Sequence, residues 1–87
     1  MSELPEHRLK RLHMRSMRRG IKEMDLILSA YASAHLAAMT ADELDLYEAL
    51  LDEADQDLYQ WVTGQCPAPD KFVTLVSNVA QMFQKTE

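Results

Sequence analysis

Forty-eight consecutive positions, from Glu23 to Asp70, contain no lysine or arginine, and the 87-residue chain holds one cysteine, two glycines and six aromatic residues. The lone Cys66 excludes an internal disulfide and any cysteine-rich metal site, which suits a reducing compartment. No apolar run approaches the ~20 residues needed to span a bilayer. The N-terminus lacks an apolar signal core, and Glu3 and Glu6 are out of place in a mitochondrial leader. Bacterial cytoplasm is the expectation. Length allows one domain, 1–87 with an ordered core at about 6–84, burying only about 60–65% of the surface exposed when unfolded. A large cofactor cavity does not fit inside it.

What is present is a sharp separation of charge. Residues 1–22 hold seven basic residues (Arg8, Lys10, Arg11, Arg15, Arg18, Arg19 and Lys22) against Glu3 and Glu6, a net of +5. Residues 23–70 carry eleven acidic residues and a net of −11, and the whole chain stands at −5. A basic arm on an acidic body sets the orientation and encounter rate with a partner more than its affinity. Net acidity argues against general nucleic-acid binding.

The pattern is helical throughout. A first helix is predicted over about Pro5 to Met17, with Pro5 suited to its first turn. A second runs from Gly20 or Ile21 to Leu36 on the stripe Ile21, Met24, Leu28, Tyr31 and His35. Thr40-Ala41-Asp42-Glu43 reads as a capping box opening a third helix with Leu44, Tyr47, Leu50 and Leu51 inside. Asp55 is expected to cap a fourth helix carrying Leu58, Trp61 and Val62, which Gly64 ends. After the stiff Gln65-Cys66-Pro67-Ala68-Pro69 link, a fifth helix spans about Asp70 to Gln84 with Phe72, Val76, Val79 and Phe83 on one face. The fold class is all-α, a compact bundle of five short helices.

Three groups of residues invite a chemical reading. Arg8, Arg11 and Arg15 share one face of the first helix, which is a solvated face, a phosphate contact or a dock for an acidic surface. No aromatic residues interleave with them, so protein ranks above nucleic acid. Arg19-Gly20-x-x-Glu23 sits where the charge changes sign. It reads as an intrahelical ion pair worth about 0.3–0.5 kcal/mol, or as a junction whose bare backbone lets another molecule approach. The third group is weaker. Asp52, Glu53, Asp55 and Asp57 lack the glycine turn of a calcium loop. His7, His13 and His35 form no ligand spacing, and His35 is expected partly buried. Cys66 has no basic neighbour to make it a nucleophile. No metal and no catalytic residue is assigned. Tyr31, Tyr47 and Tyr59 are long enough to reach the surface, and Met14, Met17, Met24, Met39 and Met82 could offer adaptable contacts, although such residues more often fill gaps and only Met24 has a position that favours contact.

Arg18-Arg19-Gly20-Ile21-Lys22-Glu23-Met24-Asp25, followed by Leu50-Leu51-x-x-x-Asp55-x-Asp57-Leu58-x-x-Trp61-x-x-Gly64, resembles the succinate dehydrogenase assembly factor 2 family. The resemblance covers about Leu9 to Phe83, although Met14 and Met17 stand where the family often has tryptophan. It implies a five-helix chaperone, not an enzyme. Such a chaperone binds the flavoprotein subunit of succinate dehydrogenase, and in some bacteria of fumarate reductase, and promotes covalent attachment of FAD. Carried over, the RGxxE motif falls on Arg19, Gly20 and Glu23, and Arg18, Met24 and Asp25 complete the partner-binding block. Arg8, Arg11 and Arg15 are further partner candidates. FAD is the client's cofactor, and no Gly-rich phosphate loop suggests that this chain holds it alone. A monomer with no nucleic acid and no membrane insertion is expected. The rival readings are an antitoxin-like nucleic-acid module using the arginine face, and a flavin transferase that binds FAD itself.

Overall fold

The computed structural model describes residues 4–85, and side chains to residue 82. Five α-helices follow one another: α1 (Pro5–Arg15), α2 (Lys22–His35), α3 (Ala41–Leu51), α4 (Asp55–Val62) and α5 (Val73–Lys85). Short 3-10 turns at Leu36–Ala38 and Asp70–Phe72 link α2 to α3 and lead into α5. No strand occurs among the described residues. The radius of gyration is 12.3 Å, against about 12 Å for a compact chain of this length. The all-α, five-helix expectation holds.

Helix ends follow local chemistry. Leu4 is extended (φ −65°, ψ 144°) because Pro5 disfavours the helical region before it, and Pro5 takes the first helical turn. The Thr40 box is complete: Glu43 N donates to Thr40 Oγ1 at 3.2 Å and Thr40 N to Glu43 Oε1 at 2.8 Å. Gly64 ends α4 with φ 82°, and the Gln65 and Cys66 amides return to the Gln60 carbonyl at 2.9 and 3.2 Å. That left-handed position suits a residue without Cβ. Two expected ends differ. Asp55 is not a cap; Ala54 occupies that position without a side-chain bond. Gly20 does not begin α2; Ile21 precedes Lys22 there, extended and likewise without a cap bond.

The core runs through all five helices. Leu12, Met24, Leu28, Tyr47, Leu50, Leu58, Phe72 and Val79 are among its buried residues, with Leu75 and Val76 beside them. Burying such side chains contributes about 1.5–3 kcal/mol each, the main favourable term in so small a chain. Phe72 reaches the core from the 3-10 turn, and Trp61 packs half-buried with its ring centroid 6.1 Å from Phe72. The side chain of Phe83 lies outside the described residues. On α2 the buried positions are Met24, Ile27, Leu28, Tyr31 and Ala32. His35 is exposed, contrary to expectation, because Leu36 in the following turn takes the inward place, and its ring rests 4.6 Å from that of Tyr31. Tyr31 and Tyr47 are core rather than surface, and Tyr59 is half-buried.

Candidate functional site

The charge reversal in the sequence becomes a seam between helices. On α1, Leu9 and Leu12 face the core, and the next face carries Arg8, Arg11 and Arg15 against α3. Arg8 Nη2 reaches Asp45 Oδ1 at 2.5 Å and Glu48 Oε1 at 3.2 Å. Arg11 Nη1 reaches Glu48 Oε2 at 2.9 Å, and Arg15 pairs with Asp52. The hydrogen bond and charge of Arg11, then the charge of Arg8, hold the Glu48 carboxyl below the usual carboxylate range against the opposing effect of burial. Asp45, through its hydrogen bond, raises Arg8 above the ordinary guanidinium value. These three arginines were candidate partner residues, and the structure engages them with the chain's own acidic helix. Their spacing made both outcomes possible, and α3 supplies carboxylates at the matching pitch.

Beyond Arg15 the chain turns sharply. Ser16 is buried, and its hydroxyl lies 2.8 Å from the Leu12 carbonyl and 2.6 Å from Tyr47 Oη. Arg18 has φ 54°, in the left-handed region that a residue with a Cβ enters only at a cost of about 1–2 kcal/mol. Arg19 then returns to the molecule. Its Nε donates to Asp55 Oδ1 at 2.6 Å, Nη1 to the Arg15 carbonyl at 3.0 Å, and Nη2 to the Leu51 and Glu53 carbonyls at 3.2 and 3.4 Å. One guanidinium thus serves the carbonyl-rich ends of α1 and α3, where helix dipoles favour a cation, and the carboxylate that starts α4. The Gly20 amide donates to the other Asp55 oxygen, Oδ2.

The expected partner-binding block divides on this geometry. Arg18, Gly20 and Glu23 are exposed. Arg19 is 11% exposed and bound to Asp55, not to Glu23, because it lies before α2 begins. Asp25 is half-buried and accepts from Ser29 Oγ at 3.2 Å. Met24, expected as a contact, is fully buried: its place on the α2 stripe, four residues before Leu28, puts it in the core with Ile27 and Leu28. Among the described residues the exposed methionines are Met14 (63%) and Met17 (47%), and Leu26 is also 63% exposed. Sequence spacing held a clue to these, since Met14 and Met17 fall off the Leu9–Leu12 stripe. It held none for Asp55, which reaches Arg19 across 36 positions. Among the acids considered for a cation, Asp52 and Asp55 are held by Arg15 and Arg19.

The exposed corner gathers cations and apolar side chains around the α1–α2 turn, while His35 lies at the far end of α2 and Cys66 in the link after α4. Fold and corner together define a small all-helical bundle with an exposed, cation-bearing turn. A family model described as flavinator of succinate dehydrogenase matches residues 10–86, and the chain belongs to that family. The mitochondrial succinate dehydrogenase assembly factor 2 of Candida glabrata is 44% identical over 75 residues, covering 83% of this chain and 49% of the relative. The same protein of Debaryomyces hansenii is 46% identical over 78 residues, 86% of this chain and 54% of the relative. That of Meyerozyma guilliermondii is 41% identical over 86 residues, 95% and 62%. The chain spans about half the length of such relatives. They are mitochondrial proteins of yeasts, which overturns the expectation of bacterial cytoplasm.

Proposed function

We propose that this chain is a non-enzymatic assembly factor that binds the flavoprotein subunit of succinate dehydrogenase and promotes covalent attachment of FAD to it. The observation that carries this reading is a flavinator family match that spans residues 10–86 and includes the whole Arg18–Asp25 corner. The flavoprotein subunit of fumarate reductase is a second candidate client. The chain works as a monomer, and FAD belongs to the client.

The physical contribution is positional. Attachment of a flavin requires two reacting groups held in register, and restricting them supplies several kcal/mol of a barrier. A small binder does so by favouring one arrangement of its client. No acid, base or nucleophile on this chain is needed. The nucleic-acid rival is weakened because Arg8, Arg11 and Arg15 are already paired with α3.

The test is a pull-down of tagged chain from its own cells with in-gel flavin fluorescence of what it captures. A fluorescent flavoprotein subunit is expected, with Gly20→Arg abolishing both capture and client flavinylation. Unchanged flavinylation in Gly20→Arg cells would refute the proposal, and a yellow chain purified without client would favour the transferase instead.

A further inference from the structure

Gly20 has two possible reasons to lack a side chain, and the geometry separates them. Its backbone does not require glycine, since Gly64 is the only glycine with positive φ. Space does. A Cβ on Gly20 would stand 2.9 Å from Asp55 Oδ2, the same oxygen that accepts the Gly20 amide. Real Cβ atoms essentially never come that close, so an alanine would make the Asp55 carboxylate shift at the oxygen that accepts the Gly20 amide. The bare position therefore already has an occupant, and it is internal.

Arg18 presents the complementary puzzle. It adopts a left-handed backbone conformation that favours glycine or asparagine, yet among the described residues its guanidinium has no hydrogen bond or ion pair. It is exposed between two fixed points. On one side Ser16 is buried against Tyr47; on the other Arg19 and Gly20 are tied to Asp55. Strain held by rigid surroundings, with no internal return, points to use by another molecule. Lys10 and Lys22 are likewise exposed and without an ion pair among the described residues; Met14 lies beside Lys10, and the exposed Met17 precedes Arg18 in the chain. The rest of the chain is acidic, so this side is complementary to carboxylates fringed by apolar surface.

Resting on the function proposed above, we infer that Asp55 is the positioning residue of the docking corner. It holds Arg19 and the Gly20 amide so that Arg18 is offered to a carboxylate on the folded flavoprotein subunit. Arg19 is a tie within the chaperone, and the contact guanidinium is Arg18. Glycine at position 20 makes room for Asp55 rather than for the client.

A double-mutant cycle tests this, read as Kd for the purified flavoprotein subunit of succinate dehydrogenase and as melting temperature. Gly20→Ala and Asp55→Ala are each expected to weaken binding about tenfold, and the double variant no more than either alone, because both break one contact. Arg18→Gly is expected to weaken binding about tenfold without lowering the melting temperature, an outcome a merely structural arginine would not give. Asp55→Asn keeps the size of the side chain but removes one accepting oxygen. It should fall between wild type and Asp55→Ala, and it stands in should the alanine variant not fold. If Gly20→Ala weakens binding as much in the Asp55→Ala background as in wild type, the client needs the bare backbone and the positioning role is overturned. Wild-type affinity in Arg18→Gly overturns the contact. A wild-type chain that does not bind the subunit sinks the function itself, an outcome distinct from both.

Discussion

Ser16 and Tyr47 meet inside an otherwise apolar core, and their chemistry shows how a single residue limits stability. Burial pushes the Tyr47 phenol up to about 12 from an ordinary value of 10.0, and the Ser16 contact opposes that rise. The folded state therefore holds this proton more tightly than the unfolded chain does. The stabilisation is complete below pH 10 and is lost as pH climbs toward 12, by roughly 2–3 kcal/mol for a shift of this size. Urea melts at pH 9 and pH 11.5 are expected to differ accordingly, and Tyr47→Phe should remove most of the difference. Met24 yields a second prediction at this scale. Its complete burial means that Met24→Ala leaves a cavity and costs about 2–5 kcal/mol by chemical denaturation. A surface contact at this position would lose almost nothing.

At the scale of the element, α1 is held to the core by Leu9 and Leu12 and tied to α3 by charge. Each pair is partly exposed, so each is worth no more than about 1 kcal/mol. Glu48 is the shared node, accepting from Arg8 and Arg11 with Arg15 4.0 Å away. Its carboxyl is held below the usual range, so its contribution is present above the ordinary carboxylate pKa and fades as pH falls through the lowered value. Glu48→Gln is expected to destabilise by about 1 kcal/mol and to speed amide exchange in α1 more than in α5. Both effects should shrink in 1 M salt, where screening acts over about 3 Å. Elements were also what the sequence displayed best. The Thr40 box, Pro5 and Gly64 act locally, and each appears where its own chemistry puts it. Asp55 was misread because an aspartate at the start of a short helix is a good cap, and only tertiary structure brings Arg19 and Gly20 to claim it instead. Met24 was already on the inward stripe of α2, and its position beside the RGxxE motif is what suggested a contact; His35 depended on where α2 ends, since Leu36 in the next turn takes the inward place.

For the molecule as a whole, the question is which of its nine cations remain available to a partner. The sequence displays a basic arm of +5 and an acidic stretch of −11. Folding removes Arg8, Arg11, Arg15 and Arg19 from the outward field by pairing them with Asp45, Glu48, Asp52 and Asp55. Lys10, Arg18 and Lys22 stay exposed and unpaired among the described residues, on the turn between α1 and α2 and the helices flanking it. Lys71 is also exposed, but it sits apart, over the Phe72 ring before α5. A body of net charge −5 with three open cations around one turn would meet the proposed client in a preferred orientation, which acts mainly on the association rate. Stopped-flow association with the proposed client, the flavoprotein subunit, is therefore expected to slow as salt rises from 50 to 500 mM. Neutralising Lys10, Arg18 and Lys22 together should flatten that dependence. Neutralising Arg8 and Arg15 should instead lower the melting temperature and leave the salt dependence of association near wild type. Were the two sets to exchange behaviours, the seam between α1 and α3 would be opening to meet the client, and the division between internal and outward cations would be wrong.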